Sequence, residues 1–259
     1  MGSYPRSYGQ RFDWRGLFTP AIKTLLIANT AVFLVQTLVH LILGDSAYRW
    51  IITWFGLIPA AVIPGLRVWQ PFTYLFLHGG LWHLLLNMLV LWMFGRDLEL
   101  AWGRHRFYAY YFVCGIGAGL INIIVKTVPV LLGQAPSDIP TIGASGAIYG
   151  ILLAAAVVFP HRQVWLIPFP IMLPMRIYVA IIGAIEFFGT LGSTGDSISH
   201  ISHLGGMLVG YLYLRRGSFL YRMRNRFSDW KRRRLRRKFD VYVHDHQEKP
   251  PAHPDHWVN

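Results

Sequence analysis

The residues best suited to chemistry in this sequence are a serine and a histidine that stand inside apolar segments. Ser145 lies in a Gly-Ala-Ser-Gly run (143–146), and His203 begins a His-Leu-Gly-Gly run (203–206). Polar side chains inside apolar segments are costly, so they indicate a functional site. A neutral imidazole within hydrogen-bond reach could take the proton of the serine hydroxyl, which would make the serine a nucleophile.

Groups that could stabilise negative charge accompany the serine. Ser145 is expected at the start of a helix, where free backbone N–H groups and the helix dipole favour an oxyanion. His83 and Asn87 are four residues apart, so they share one helix face and could both donate to an oxyanion. Taken alone, Ser145 is better explained as a helix cap or a packing residue, and the other two side chains could bond neighbouring helices.

Glycines could bring the two segments together. Gly206 and the glycine four residues after it have the spacing that permits tight helix contact. His203 precedes Gly206 by three residues and therefore shares its helix face. If this face packs against Gly146 and Gly150, the imidazole comes close to the serine hydroxyl.

The acidic residues favour a serine–histidine dyad over a triad. No Asp or Glu lies near the polar ends of these segments except Asp196, so an orienting carboxylate is not expected. Glu186 lies inside another apolar run, and we expect it to form a buried hydrogen bond to a neighbouring helix. A gating or proton-transfer role for Glu186 is the alternative.

The composition indicates a membrane protein. Of the 259 residues, 54% are hydrophobic and 14% are charged, and the mean hydropathy of +0.37 is too high for an ordinary soluble domain. Most of the formal net charge of +13 comes from the two ends of the chain. The single cysteine, Cys114, has no partner for an intramolecular disulfide and is expected to be a small core residue.

The apolar runs predict an all-α membrane protein with six transmembrane helices. The first run is long enough to span the bilayer, so it is not expected to be a cleavable signal peptide. A segment of mixed polarity (45–77) is interrupted by prolines and is expected to lie on or partly in the membrane interface. The last three runs are short for a bilayer core. The predicted spans are 25–44, 79–95, 107–125, 144–159, 177–191 and 198–214.

The placement of Lys and Arg predicts that both termini are cytoplasmic. Basic residues concentrate in the N-terminal segment, the second and fourth connections and the C-terminal tail. Spans two, four and six then begin at the outer face, which brings their polar residues to one membrane depth. These residues are His78, His83 and Asn87 on span two, Ser145 on span four, and His200 and His203 on span six.

Together these motifs resemble the rhomboid family of intramembrane serine proteases, in its prokaryotic six-span form. The matching pieces lie within residues 20–216 and keep the family's order on spans two, four and six. They are His78-Gly-Gly-Leu-Trp-His83-Leu-Leu-Leu-Asn87, Gly143-Ala-Ser145-Gly146 with Tyr149, and His203-Leu-Gly-Gly206 followed by Gly210. The resemblance implies cleavage of single-span membrane proteins near the outer face, after a small residue in a locally unwound helix, without metal or cofactor.

The resemblance also implies roles for individual residues. Ser145 would be the nucleophile, and His203 would act first as general base and then as general acid. His83, Asn87 and the backbone N–H of Ser145 would form the oxyanion hole. The first loop would lie partly in the outer leaflet, and span five with its preceding segment would act as the lateral gate.

Supporting roles are implied for an aromatic residue and for small residues. Tyr149 would pack against the histidine ring and hold it, and Gly146 would let span four approach span six, where Gly206 lies. One position departs from the family pattern, because many members carry Trp-Arg in the first loop and this chain has Trp69-Gln70. The family's arginine is structural, so the departure concerns loop anchoring more than catalysis.

The chain is predicted to have three parts. They are a cytoplasmic N-terminal segment (1–23), a six-span core (24–216) and a basic cytoplasmic tail (217–259). The tail contains the Arg-rich run 231–238 directly after a span, so anionic lipid headgroups are its expected partner, and nucleic acid is not. The compact loops and the absence of a targeting peptide predict a prokaryotic plasma or inner membrane.

Two other functions fit parts of the sequence. A non-catalytic rhomboid-like protein would bind membrane proteins without cutting them, although intact Ser145 and His203 favour a protease. A transporter or metal-handling protein could use His78, His83, His200 and His203. Its weakness is that the first two are five residues apart and share a helix face poorly.

Overall fold

Helices make up most of the described chain. The computed structural model describes residues 17–63, 65–133, 139–165, 171–192 and 200–216. The chain divides into two compact units, Met1–Tyr213 and Leu214–Asn259, and only 214–216 of the second unit are described. The predicted basic tail (217–259) and most of the N-terminal segment therefore lie outside the described residues.

The secondary structure follows the apolar runs of the sequence. A 3₁₀ turn (Tyr74–Phe76) follows α3, and a π-helical turn (Leu91–Gly95) joins α4 to α5. Strand β1 (Gln163–Trp165) pairs antiparallel with β2 (Met172–Pro174). The helices are α1 (Pro20–Phe55), α2 (Pro59–Val62), α3 (Gln70–Thr73), α4 (Leu81–Val90), α5 (Arg96–Trp102), α6 (Arg104–Leu131), α7 (Ser145–Val158), α8 (Met175–Gly192) and α9 (200–216).

Some of the helices have the length and composition of membrane spans. Among the described residues, α1 and α6 are long and apolar enough to cross a membrane. A third span is present if the helices of Gln70–Phe76 and Leu81–Trp102, which are bent by 96°, are counted together as one. Large apolar side chains face outward, such as Leu41 at 76% and Leu131 at 79% exposure, which suits lipid better than water. The count of six spans and the cytoplasmic termini remain predictions, because α7 has only 14 residues and the start of span six is not described.

Helix α1 is broken where the first predicted span ends. Gly44 has φ 77° and ψ −174°, a conformation that glycine adopts without steric penalty. The helix resumes after Gly44 and continues to Phe55, so the first part of the predicted interfacial segment (45–77) is helical. The remainder of that segment contains α2, α3 and the 3₁₀ turn.

The first loop is anchored by the side chain of Gln70, which is fully buried. Its Oε1 accepts a hydrogen bond from the backbone N–H of Ile58 at 3.0 Å. Its Nε2 donates to the carbonyl oxygens of Thr53 at 3.0 Å and Trp54 at 3.3 Å. The Trp69 ring stacks on that of Trp54, with centroids 5.8 Å apart. The glutamine therefore anchors the loop at the position where the family pattern has arginine.

Small residues let α7 pack directly against α6 and α9. A side-chain carbon at Gly206 would overlap the carbonyl oxygen of Gly146, so the backbones of α7 and α9 touch at this point. A side-chain carbon at Gly150 would lie 2.7 Å from Cys114 on α6. Cys114 is itself fully buried, as expected of a small core residue.

Gln70→Arg is expected to destabilise the protein, although the family pattern has arginine at this position. Arginine has no acceptor atom, so the N–H of Ile58 would lose its partner, at a cost of about 1–3 kcal/mol. Thermal unfolding in detergent should show a lower Tm. Gln163→Arg, at an exposed position of β1, is the control. An unchanged Tm for Gln70→Arg would show that the loop does not depend on the bond to Ile58.

Gly206→Ala is expected to lower stability by about 1–3 kcal/mol, because the added methyl group forces α7 and α9 apart. The matched control is Gly183→Ala on α8, where a new side-chain carbon would meet only Met207 Sδ at an ordinary 3.6 Å. Thermal unfolding of both variants in the same detergent tests the difference. Equal Tm values would argue against a direct backbone contact at Gly206.

Candidate active site

The chain before α7 is held so that Ser145 begins the helix. Leu57 and Thr141 exchange two backbone hydrogen bonds of 2.9 Å, and the N–H of Gly143 donates to the carbonyl oxygen of Tyr74 at 2.9 Å. Gly143 has φ 121°, which favours glycine. Since Ser145 is the first residue of α7, its backbone N–H is one of those that no helical carbonyl accepts.

Ser145 and His203 are in direct contact. The Oγ atom of Ser145 lies 2.8 Å from Nε2 of His203, a normal hydrogen-bond length. The ring of Tyr149, one turn further along α7, stacks on the imidazole with centroids 4.1 Å apart and planes 6° apart. The structure therefore brings together the serine, histidine and tyrosine that the sequence analysis grouped.

A carboxylate stands on the other side of the histidine. Glu186 of α8 is buried, and its Oε2 lies 2.9 Å from Nδ1 of His203 and 2.6 Å from Nδ1 of His200. The hydroxyl of Tyr149 donates a hydrogen bond to Oε1. The contact with His203 has ion-pair distance, but the oxygen lies off the direction of the ring N–H. The expectation that no carboxylate lies near the histidine is therefore wrong.

The predicted topology contained a signal for this contact that the sequence analysis missed. Span five ends at the predicted outer face, where spans four and six begin, so residues near the C-terminal end of α8 reach the depth of Ser145. Glu186 lies in that part of α8. Its expected hydrogen bond to a neighbouring helix is present, through Tyr149 of α7. Asp196, the acidic residue that the sequence analysis considered, lies outside the described residues.

His83 of α4 borders the turn that precedes Ser145. A side-chain carbon at Gly143 would lie 2.8 Å from Nε2 of His83. On its other side, Nδ1 of His83 accepts a hydrogen bond from the backbone N–H of Gly79 at 3.4 Å. In the neutral ring this arrangement assigns the proton to Nε2, which then is a donor beside the turn.

Asn87 of α4 is buried at 6% exposure. Its Nδ2 has no hydrogen-bond partner among the residues that the structure describes. A buried amide without a partner is costly, so a group that accepts its hydrogen bond would be bound favourably here. The amide and His83 stand on one face of the same helix, as their spacing predicts.

His78 packs against His83 and links it to α1. It is 1% exposed, and its ring meets that of His83 edge to face with centroids 5.2 Å apart. Its backbone N–H donates to Oε1 of Gln36 on α1 at 3.2 Å. These contacts tie α1 to the segment that carries His83.

The described residues contain one group with the donor atoms for a metal ion. Glu186, His200 and His203 each offer one ligand atom, and these atoms lie within 4.8 Å of one another. His78 and His83 are not members of this group, so the four-histidine site considered from the sequence is not assembled in the described part of the chain.

Comparisons with known proteins indicate the family of this chain. The sequence profile of the Rhomboid domain matches residues 65–218, more than half of the chain. Rhomboid protein 1, mitochondrial, of Saccharomyces cerevisiae is 32% identical over 139 residues, which are 53% of this chain and 38% of that protein. Presenilin-associated rhomboid-like protein, mitochondrial, of Homo sapiens is 31% identical over 146 residues, 55% and 36% of the two chains.

A plant protein shows a similar partial match. RHOMBOID-like protein 1 of Arabidopsis thaliana is 28% identical over 160 residues, which cover 60% of this chain and 37% of that protein. The chain thus spans less than two fifths of the length of each of these relatives. The match to the domain profile, together with these relatives, shows that the chain belongs to the rhomboid family.

Proposed function

We propose that the protein is an intramembrane serine endopeptidase in which Ser145 is the nucleophile and His203 its base. The observation that carries this proposal is the 2.8 Å contact between Ser145 Oγ and His203 Nε2 inside a helical membrane domain. Family membership supports a fold suited to intramembrane proteolysis. The chain spans less than two fifths of the length of these relatives, so its proteolytic activity is proposed and is not taken from them.

The first chemical step follows from the serine–histidine contact. Oγ of Ser145 attacks the peptide carbonyl carbon while Nε2 of His203 takes the hydroxyl proton. The tetrahedral intermediate collapses as the imidazolium returns that proton to the leaving amine. A water molecule, activated by the same nitrogen, then hydrolyses the acyl-enzyme. The stacked ring of Tyr149 limits rotation of the imidazole during these transfers.

We propose three donors for the oxyanion. The free N–H of Ser145 stands at the start of α7, where the helix dipole adds to its effect. The side-chain amide of Asn87 is buried without a partner in the described structure, and His83 presents Nε2 beside the Gly143 turn. The substrate oxyanion would supply the acceptor that the Asn87 amide lacks.

The substrates we propose are single-span membrane proteins cleaved near the outer face. The nucleophile lies at one end of α7, and not at the middle of a span. Outward-facing apolar side chains on the surrounding helices would let a transmembrane segment approach through lipid, with α8 as the proposed gate. A helix must unwind locally before a serine can reach its backbone carbonyl.

The membrane in which the protein works is also a proposal. We infer a cell membrane from the compact loops of the sequence, and we propose that the basic tail binds anionic headgroups there. The names of two relatives above place those proteins in mitochondria. Membrane fractionation of the source cells would decide between these locations.

Ser145→Ala and His203→Ala are each expected to abolish cleavage of a single-span substrate in liposomes. In serine proteases, loss of the nucleophile or its base costs about 10⁶-fold in kcat. His105→Ala is the matched control, because this histidine is exposed at the start of α6. Cleavage that survives Ser145→Ala would contradict the mechanism. A folded wild type that binds such substrates and cuts none would favour the non-catalytic binder.

Asn87→Ala is expected to lower kcat by about 10²–10³-fold, with a smaller effect on KM, because an oxyanion donor acts mainly in the transition state. The control is Asn29→Ala, which removes another buried amide whose Nδ2 donates within α1 to the carbonyl oxygen of Leu25. Steady-state cleavage in detergent measures both constants. A raised KM with unchanged kcat would assign Asn87 to substrate binding instead.

A further inference from the structure

We propose that Glu186 is a positioning residue for His203, held in place by His200 and Tyr149, so that the site works as a supported triad. This inference rests on the proposed function and deepens it. The sequence led us to expect a dyad, and the family resemblance assigned no role to Glu186 or His200. The two residues lie on α8 and α9.

The tautomer of His203 determines whether it can act as a base. Its Nε2 faces Ser145 and must be unprotonated to accept the hydroxyl proton. The proton of the neutral ring must then lie on Nδ1, where Oε2 of Glu186 is 2.9 Å away. An acceptor at this position favours that tautomer, as the aspartate does in soluble serine proteases. The imperfect alignment is common before substrate binds.

The charge of Glu186 also matches the charge that develops during the reaction. Attack by Ser145 turns His203 into an imidazolium. Among the described residues, the titratable groups that face this ring are Tyr149 from α7, Glu186 from α8, His200 from its own helix and His83 from α4. Glu186 is the carboxylate among them. The side chains of Glu186 and His203 are 8% and 12% exposed, so solvent screens their attraction weakly.

The carboxylate is itself held from two sides. The hydroxyl of Tyr149 donates to Oε1, and Nδ1 of His200 lies 2.6 Å from Oε2. Gly189 leaves the space for His200, because a side-chain carbon there would lie 2.7 Å from Cε1 of that ring. His200 and His203 therefore share one carboxylate oxygen, and the tyrosine that stacks on His203 also fixes the other oxygen.

The same three donors raise the alternative of a metal ion. Ligand atoms bound tetrahedrally to zinc at about 2.1 Å lie roughly 3.4 Å apart. The separations of 2.6 and 2.9 Å from Glu186 Oε2 are hydrogen-bond lengths, so the donors would have to spread to take zinc. A metal on Nδ1 of His203 would also block the proton that the general base needs there. The geometry thus favours hydrogen bonding, and the test below includes a metal arm.

The decisive variant is Glu186→Gln, which keeps the side-chain shape and removes the charge. Two measurements are made: steady-state cleavage of a single-span substrate in liposomes, and the rate at which a fluorophosphonate labels Ser145. In the labelling reaction Oγ attacks phosphorus and fluoride leaves, while His203 takes the proton. This readout reports activation of the serine without requiring a peptide substrate.

We expect Glu186→Gln to lower both kcat and the labelling rate by about 10²-fold, with KM changed by less than about threefold. Glu186→Asp keeps the charge and should recover about tenfold of that loss. Glu99→Gln is the matched control, because Glu99 is a buried carboxylate that accepts the backbone N–H groups of Ala21 and Ile22 at the start of α1. It should lower Tm without slowing labelling of the folded enzyme.

Several outcomes would overturn the inference. Labelling by Glu186→Gln at the wild-type rate would do so, as would a loss confined to KM or to Tm. Activity that EDTA removes and zinc restores would identify the group as a metal site instead. Failure of the proposed function gives a different result. Labelling that depends on Glu186, without cleavage of any substrate, would contradict the protease function and still support the triad. A folded wild-type protein that is neither labelled nor active would contradict both the protease function and the triad.

Discussion

The backbone contact between α7 and α9 is the constraint on which the site depends. Lipid is as apolar as a leucine side chain, so membrane helices associate mainly through close packing and polar contacts, for which small residues are suited. Gly146 and Gly206 have no side-chain atoms between their backbones, and Gly150 makes room for Cys114 on α6. Ser145 precedes the first of these glycines and His203 precedes the second by three residues. Their 2.8 Å contact follows from this approach of the two helices.

The polar groups around Glu186 are tolerated inside the protein because they lie in contact with one another. Glu186 would be expensive as an isolated buried charge. In this structure its oxygens meet Tyr149, His200 and His203, while His203 also meets Ser145. Such a network has few alternative arrangements, since moving any member leaves another without a partner. Stability and the geometry of the proposed nucleophile therefore have a common source.

The first loop contributes to the site from a distance. Gln70 ties the loop to the end of α1, and the bridge between Leu57 and Thr141 joins it to the chain that enters α7. The 3₁₀ turn adds a further tie, because the carbonyl oxygen of Tyr74 accepts a hydrogen bond from the N–H of Gly143, two residues before the serine. Glutamine can anchor the loop at the position where the family pattern has arginine. Its side-chain amide donates to carbonyl oxygens and also accepts a hydrogen bond from a backbone N–H.

The sequence by itself determined the helical membrane class, and it marked Ser145 and His203 as the residues best suited to chemistry. Both results depend on local properties, namely the length of apolar runs and the polar residues inside them, whereas the 2.8 Å contact of Ser145 with His203 depends on the packing of α7 against α9. The number of spans could not be settled in this way, because α7 is shorter than a bilayer core. Only the tertiary structure decided that Glu186 of α8 faces His203, and that Gln70 replaces the family's arginine as anchor. Both contacts join a side chain to a different element of the fold. The rotation of each helix about its axis is set by packing against its neighbours, and residue spacing along a single helix does not specify it.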